Sequence, residues 1–244
     1  METIIIEIRA GTGGDEAALF VGDLLKMYEK YSQSQGWRVV IIDKSLSDLG
    51  GYKQVNLEVT GEGVFNKMKY EAGVHRVQRI PKTEKSSRIH TSTISVAVLK
   101  KTKENDVQVK QSDLSFDFFK SSGKGGQNVN KRQTAIRITH APSGLVVTSQ
   151  TQRNLEQNRK TALANLQGKL DQAKNEKASS EIIEERRSQI GGADRSEKIR
   201  TYNFPQNRLT DHRLNKSFHN LEQIIEGKID KVIHALENSF SASN

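Results

Sequence analysis

Residues 3–31 read Thr3-Ile-Ile-Ile-Glu-Ile-Arg-Ala-Gly-Thr-Gly-Gly-Asp-Glu-Ala-Ala-Leu-Phe-Val-Gly-Asp-Leu-Leu-Lys-Met-Tyr-Glu-Lys-Tyr31. Two hydrophobic periods meet in this stretch, with glycines between them. The Ile-rich segment 3–9 alternates weakly and predicts a strand. Beyond it, apolar or small residues at 17, 20, 21, 24, 28 and 31 keep a helical period, which the Gln35-Gly36 pair ends. The turn Gly11-Thr12-Gly13-Gly14-Asp15-Glu16 opens the helix, and its two acids suit the positive end of the helix dipole. A strand feeding a helix through a glycine turn sets the fold class as α+β.

Working outward, residues 37–43 and 55–60 read as strands, 62–70 as a short helix, and 88–100 as a long strand with β-branched residues throughout. These make a mixed unit over residues 1–104, ending in the polar connector 101–106. A second unit, residues 105–193, begins with the strand-like segment 107–119 and its aromatic end. A glycine-rich loop follows at 121–127. A hairpin then joins 135–140 to 145–150 around Ala141-Pro142-Ser143-Gly144. A long helix is predicted over 153–189, with Leu155, Ala162, Leu163, Leu166, Leu170 and Ala173 along one face and Gly191-Gly192 as its stop. Residues 194–244 form a C-terminal element. Its first part, to about 216, reads as irregular and polar, and an amphipathic helix is expected over 218–236.

The chain has 244 residues, with 38 Lys+Arg against 29 Asp+Glu for a net charge of +9. Eight basic residues and one acid fall between Lys120 and Lys160, so seven of the nine net charges lie there. Such a bias favours contact with phosphates over a merely solvated helix face. The absence of cysteine excludes a disulfide scaffold, thiolate metal ligands and a Cys nucleophile. No apolar run approaches the ~20 residues of a membrane span, and no signal peptide is visible. The six histidines lack metal-ligand spacing, and no HExxH, GxSxG or Walker pattern occurs. A cytoplasmic protein with a polyanionic partner, and with no metal or cofactor, is the expectation.

Three segments stand out as candidate sites. Ser121-Ser-Gly-Lys-Gly-Gly-Gln-Asn128 has a backbone free to bring N–H groups against a ligand, but on spacing alone it reads equally as a hairpin tip. Gln78-Arg-Ile-Pro-Lys-Thr-Glu84, followed by Arg88-Ile-His-Thr-Ser92, combines a proline-stiffened loop with donors, acceptors and a ring. That mixture suits reading the edges of single-stranded bases, although a lone His beside a strand is more often structural. Gly11–Glu16 presents the free N–H groups of a helix N-terminus, and simple helix capping explains it as well.

At these residues the chain resembles the bacterial class I peptide-chain release factors of the UAA/UAG-reading type. The matching segments are Arg9-Ala-Gly-Thr-Gly-Gly-Asp-Glu-Ala-Ala-Leu-Phe20, Gly73-Val-His-Arg-Val-Gln-Arg-Ile-Pro81, Arg88-Ile-His-Thr-Ser92, Ser121-Ser-Gly-Lys-Gly-Gly-Gln127, Ala135-Ile-Arg-Ile-Thr-His140, Asp194-Arg-Ser196 and Arg200-Thr-Tyr-Asn-Phe-Pro205. They run in the family's order over almost the whole chain. The resemblance implies a codon-reading domain, a compact α+β domain carrying the Gly-Gly-Gln loop, and a C-terminal helix packing back on the first domain.

By this resemblance, Gly125, Gly126 and Gln127 trigger hydrolysis of the peptidyl-tRNA ester. Gly13, Glu16, Gln78, Arg79, Pro81, Thr83, His90 and Thr91 meet the stop codon, while Lys124, Lys131, Arg132 and Arg137 meet rRNA or tRNA. The implied partners are the ribosome at its decoding and peptidyl transferase centres, the mRNA stop codon, P-site peptidyl-tRNA, a class II release-factor GTPase and a glutamine methyltransferase acting on Gln127. Such a factor acts with the ribosome and is not a free-standing enzyme.

The chain departs from the family pattern in three ways, one being Lys85-Ser86-Ser87 in place of a segment that commonly holds a glycine just before Arg88-Ile89-His90. Members carry a helical domain ahead of the first matching segment, which here starts almost at Met1. Lys82 also replaces the small apolar residue usual between Pro81 and Thr83. A rescue factor acting on stalled ribosomes without a stop codon is the alternative. A non-catalytic RNA-binding module would leave the Gly-Gly-Gln loop unexplained.

Overall fold

The computed structural model describes residues 1–48, 50–81, 88–101, 109–122, 131–192 and 196–241. The chain divides into two compact units, one made of residues 1–102 and 182–244 and the other of residues 103–181.

The first unit is built on an eight-stranded sheet. Its strands are β1 (Glu2–Ala10), β2 (Arg38–Leu46), β3 (Tyr52–Gly61), β4 (Gly73–Arg79), β5 (His90–Lys100), β9 (Lys198–Asn203), β10 (Arg208–Asp211) and β11 (Lys216–His219). Their order across the sheet is β11-β10-β9-β4-β5-β1-β3-β2. Neighbours are antiparallel except for the parallel β4–β9 pair, in which Gln78 lies beside Asn203. Ile4, Ile6 and Ile8 of β1 alternate onto the same core as Val55, Leu57 and Val59 of β3 and Ile94, Val96 and Val98 of β5. Helix α1 (Asp15–Ser34) lays Phe20, Val21, Leu24, Tyr28 and Tyr31 on that core, at the helical spacing the sequence predicts. Helix α2 (Val64–Met68) and a 3-10 turn at Lys69–Glu71 follow β3.

Three expectations are corrected here. Residues 193–216 are not irregular throughout, because β9 and β10 form there and β11 begins at its end. Strand β4, unread in the sequence, receives β9. The amphipathic helix is two helices, α4 (Leu221–Ile225) and α5 (Asp230–Ser241), and Phe218 belongs to β11. The break falls at Gly227, where φ is +96° and a Cβ would sit 2.7 Å from Lys30 Cβ. Leu221, Ile224, Ile229, Val232, Ile233 and Leu236 nevertheless join the core of the first unit.

Strand β9 is held by charge. Arg200 is 1% exposed and bonded to two fully buried carboxylates, Glu71 and Asp211. Tyr28 donates to Glu71 at 3.1 Å, and Arg213 donates to Asp211. His75 is fully buried beside them. Its Nε2 faces the Glu71 carbonyl at 2.8 Å, which can only accept, so the neutral ring carries its proton there and Nδ1 accepts from the Tyr202 hydroxyl at 3.1 Å.

Burial pushes this imidazole from the ordinary 6.5 down to about 4, and the Arg200 charge acts in the same direction. A base whose folded value lies below its unfolded one binds a proton more readily when unfolded. Stability is therefore full above about pH 6.5 and falls as pH drops toward 4, by about 3 kcal/mol in all. Denaturant titrations across that interval should record the fall, and His75→Gln should flatten it. A slope unchanged in that variant would assign the loss to another group.

The second unit has a three-stranded sheet, β6 (Leu114–Phe119), β7 (Ala135–His140) and β8 (Val146–Ser149), in that order. Ile136, Ile138 and Val147 pack on Ala162, Leu166 and Leu170 of the long helix α3 (Leu155–Ile190). The last turns of α3, from Ile182, belong with the first unit, whereas the sequence reading assigned everything to 193 to the second. The reason is local: Arg186 pairs with Glu7, and the Gln189 carboxamide bonds both the N–H and the C=O of Val98. Strand β4 pairs β5 only as far as Gly73–Val96, so Gln189 takes the position of a missing strand neighbour.

Candidate functional site

One end of the large sheet gathers most of the residues that the sequence assigns to codon reading. Strands β4 and β5 pair Gln78 with Thr91 and Arg79 with His90. The turn before α1 is stapled to the same end. Gly11 N–H donates to the Thr93 carbonyl at 2.8 Å, Thr93 N–H returns a bond to Thr12 at 2.8 Å, and the two threonine hydroxyls lie 2.7 Å apart. Gly13 is required by contact as well as conformation: its φ is +130°, and a Cβ there would lie 2.1 Å from Ser92 Oγ. The first-turn N–H groups of α1, at Asp15 and Glu16, thus open beside β4 and β5.

Arg79 occupies the middle of this arrangement. Its guanidinium pairs with Glu16 and, at 2.6 Å, with Asp23. It also stacks over Phe20 and Phe204, 5.7 and 5.2 Å from the ring centroids. The Glu16 side chain is 4% exposed and that of Arg79 is 19% exposed. Arg79 shares its charge between Glu16 and Asp23, so its side chain braces the helix tip against β4, while Glu16 Oε2 stays buried with no hydrogen-bond partner among the described residues. Gln78 is anchored by its carbonyl, which accepts from Phe204 N–H at 3.0 Å, and its side-chain oxygen receives Asn203 Nδ2 at 3.3 Å.

Asn203 and Phe204 were not identified as site residues by spacing. The available signal was their place in the segment Arg200-Thr-Tyr-Asn-Phe-Pro205. Pro81 is buried two residues beyond Arg79, while Ile80, Arg88, Ile89 and His90 are exposed. Thr83 and Lys82 lie outside the described residues.

In the second unit, Gly125, Gly126, Gln127 and Lys124 lie outside the described residues. Beyond them in the chain, Lys131, Arg132 and Arg137 are exposed. Arg137 stands opposite Asp117 and Thr148 on the sheet face turned away from the unit's apolar core, over the Phe119 ring at 5.7 Å. Arg159 stacks over Phe116 at 5.2 Å. Phe116 packs against the apolar core, so the Arg159 pair lies on the core side of the sheet. Arg137 on Phe119, with the exposed Lys131 and Arg132 earlier in the chain, offers cations suited to phosphates. Among the described residues no group of three His, Cys, Asp or Glu side chains converges as metal ligands, and no described helix is long and apolar enough to cross a membrane.

Comparison with known proteins places both units. Residues 1–96 match the PCRF domain, and residues 102–213 match the RF-1 domain. Peptide chain release factor 1 of Aquifex aeolicus is 52% identical over 235 residues, covering 96% of this chain and 65% of that protein. Peptide chain release factor 1 of Rhizobium rhizogenes is 50% identical over 242 residues, covering 99% of this chain and 67% of the relative. The chain therefore spans about two thirds of the length of such relatives. Among solved structures, RF2 of Thermus thermophilus superposes with a TM-score of 0.58 at 32% identity, over 95% of this chain and 66% of that one.

Proposed function

Because the chain belongs to the peptide chain release factor family, we propose that it recognises UAA and UAG in the ribosomal A site and triggers hydrolysis of the peptidyl-tRNA ester. The observation that carries the reading is the convergence of Gln78, Thr91, His90 and the α1 tip at one sheet end, with Pro81 leading from it toward Thr83. On this reading, main-chain groups at Gly13 and Glu16 face the first base. Thr83 takes the first two bases, His90 stacks beside the second, and Gln78 with Thr91 reads the third. Glu16 and Arg79 contribute their side chains as braces and leave base contact to the backbone.

At the other end of its action, the second unit presents Gly125-Gly126-Gln127. Water attacks the ester carbonyl, the carbonyl oxygen becomes an oxyanion, and the tRNA 3′ oxygen leaves with a proton. A fixed Gln127 main-chain N–H stabilises that oxyanion without reorganisation, and the Gln127 side chain admits water while excluding larger nucleophiles. No Asp, Glu or His occurs from Phe118 to Thr139, around the Gly-Gly-Gln segment, so on this reading the proton goes to RNA or solvent. Lys124, Lys131, Arg132 and Arg137 hold rRNA or tRNA phosphates.

Peptide release from ribosomes programmed with UAA, UAG, UGA and a sense codon tests the proposal. Release at UAA and UAG should exceed that at the other two by at least about 10²-fold. Equal release at all four triplets, or none, would overturn it. Codon-independent rescue is not favoured, since the relatives are release factors and the first unit keeps the sheet end described above.

A further inference from the structure

Asn158 is fully buried, although it lies on the stripe of α3 that continues as Ala162, Leu166 and Leu170. A carboxamide in that position costs free energy unless its bonds are all made. Here they are. Oδ1 accepts from the Ser149 hydroxyl at 3.1 Å and the Gln152 N–H at 3.0 Å, and Nδ2 donates to the carbonyls of Thr134 at 2.7 Å and Gln152 at 2.9 Å. The carbonyls can only accept and the N–H can only donate, so the amide has one orientation.

The four bonds tie the first turn of α3 to β8, to the turn after it, and to Thr134, the residue before β7. Two further contacts extend the clasp. The Thr134 and Ser121 hydroxyls are 3.0 Å apart, and Gln150 Oε1 accepts from both the N–H and the hydroxyl of Ser122 at 3.3 and 3.2 Å. Strands β6 and β7 remain paired as far as Phe119 and Ala135. Ser121-Ser122 and Thr134 therefore lie on the two sides by which the chain leaves this sheet and re-enters it. The apolar cluster of the unit is built from other residues, and a leucine at 158 would simply lengthen its stripe.

We infer that Asn158 is a positioning residue for peptide release: it fixes Thr134, one root of the segment carrying Gly125, Gly126 and Gln127, against α3, and through Thr134 it steadies Ser121 at the other, so that the Gln127 amide acts from a held frame. The inference rests on the release reading above. A frame displaced by about 1 Å is enough to cost about 10²-fold in rate.

The test compares the wild-type chain with Asn158→Leu, which suits the core, and Asn158→Asp, which sets a carboxylate against two carbonyls. In Asn158→Leu, amide hydrogen exchange in the free protein is expected to lose at least about tenfold protection at Ser122 and Gln152 while Ile136 and Ile138 hold theirs. On UAA-programmed ribosomes, the saturating release rate should fall about 10- to 100-fold, with the half-saturating concentration within about twofold of wild type. Wild-type exchange at the two roots in Asn158→Leu, or a saturating rate within about twofold of wild type, overturns the inference. So does a loss confined to the half-saturating concentration, or one accompanied by lost protection at Ile136 in both variants. A wild-type protein silent at every codon removes the release reading, and the catalytic half of this inference with it. That outcome is distinguishable because it appears before any substitution is made.

Discussion

Gly126→Ala is expected to lower the rate of peptide release by about 10³-fold or more, while the protein still competes for UAA-programmed ribosomes at its wild-type concentration. Removing a single pre-organised oxyanion donor costs about 10²–10³-fold where it has been measured. A Cβ on the glycine before Gln127 restricts the backbone angles that aim the amide, so the donor is lost without any polar group being deleted. Gln127→Ala keeps that N–H and loses only the side chain that screens nucleophiles. Its release rate should fall less, by about tenfold. It should also accept small alcohols in place of water more readily than the wild type does. Single-turnover release with both variants decides the matter, because equal losses would place the chemistry in the side chain.

The second large effect concerns stability. Arg200→Leu should destabilise the first unit by about 3–5 kcal/mol at pH 7, since it leaves Glu71 buried without its ion-pair partner and Asp211 with Arg213 alone. In the wild type, burial alone would raise the Asp211 carboxyl, but bonds from Arg213 and the charge of Arg200 override it and hold it at about 2. With Arg200 gone, both carboxylates escape their desolvation by taking protons, so the variant should recover part of its deficit as pH falls from 7 to 5. That trend opposes the wild-type loss from His75. Arg213→Leu, at a side chain 22% exposed, should cost less. Denaturant titrations at the two pH values measure all three proteins. A loss below about 1 kcal/mol in Arg200→Leu would mean that water already solvates the pair.

The parts of the fold legible in the sequence are those whose buried residues are apolar. Ile4, Ile6 and Ile8 announce β1, the spacing from Ala17 to Tyr31 announces α1, and Ile136 and Ile138 announce β7. Strand β9 was hidden because its interior is built from Arg200, Thr201 and Tyr202, and β4 because His75, Arg76 and Gln78 interrupt its buried Val74 and Val77. Those residue types read as surface until their partners are known, and the partners stand far off in the chain. The break at Gly227 was equally invisible, because it answers the approach of Lys30 and Tyr31 and no local signal.

The site divides along the same line. Gly13, Gln78, Arg79, His90 and Thr91 could be selected from the sequence, but that Arg79 and Glu16 neutralise each other depends on how α1 meets β4. Asn203 and Phe204 reach Gln78 from 125 and 126 residues away, distances at which periodicity carries no information.

The parallel pairing of β4 with β9 also governs the order in which the molecule can be made. During synthesis, the outer edge of β4 is exposed as soon as it leaves the exit tunnel, and it stays unpaired until more than a hundred further residues have been translated. Gln78 gains Asn203 and Phe204, and Glu71 its Arg200, only once that later stretch has been translated. Until then the molecule carries an open strand edge and a carboxylate without its cation, features that invite pairing with other chains.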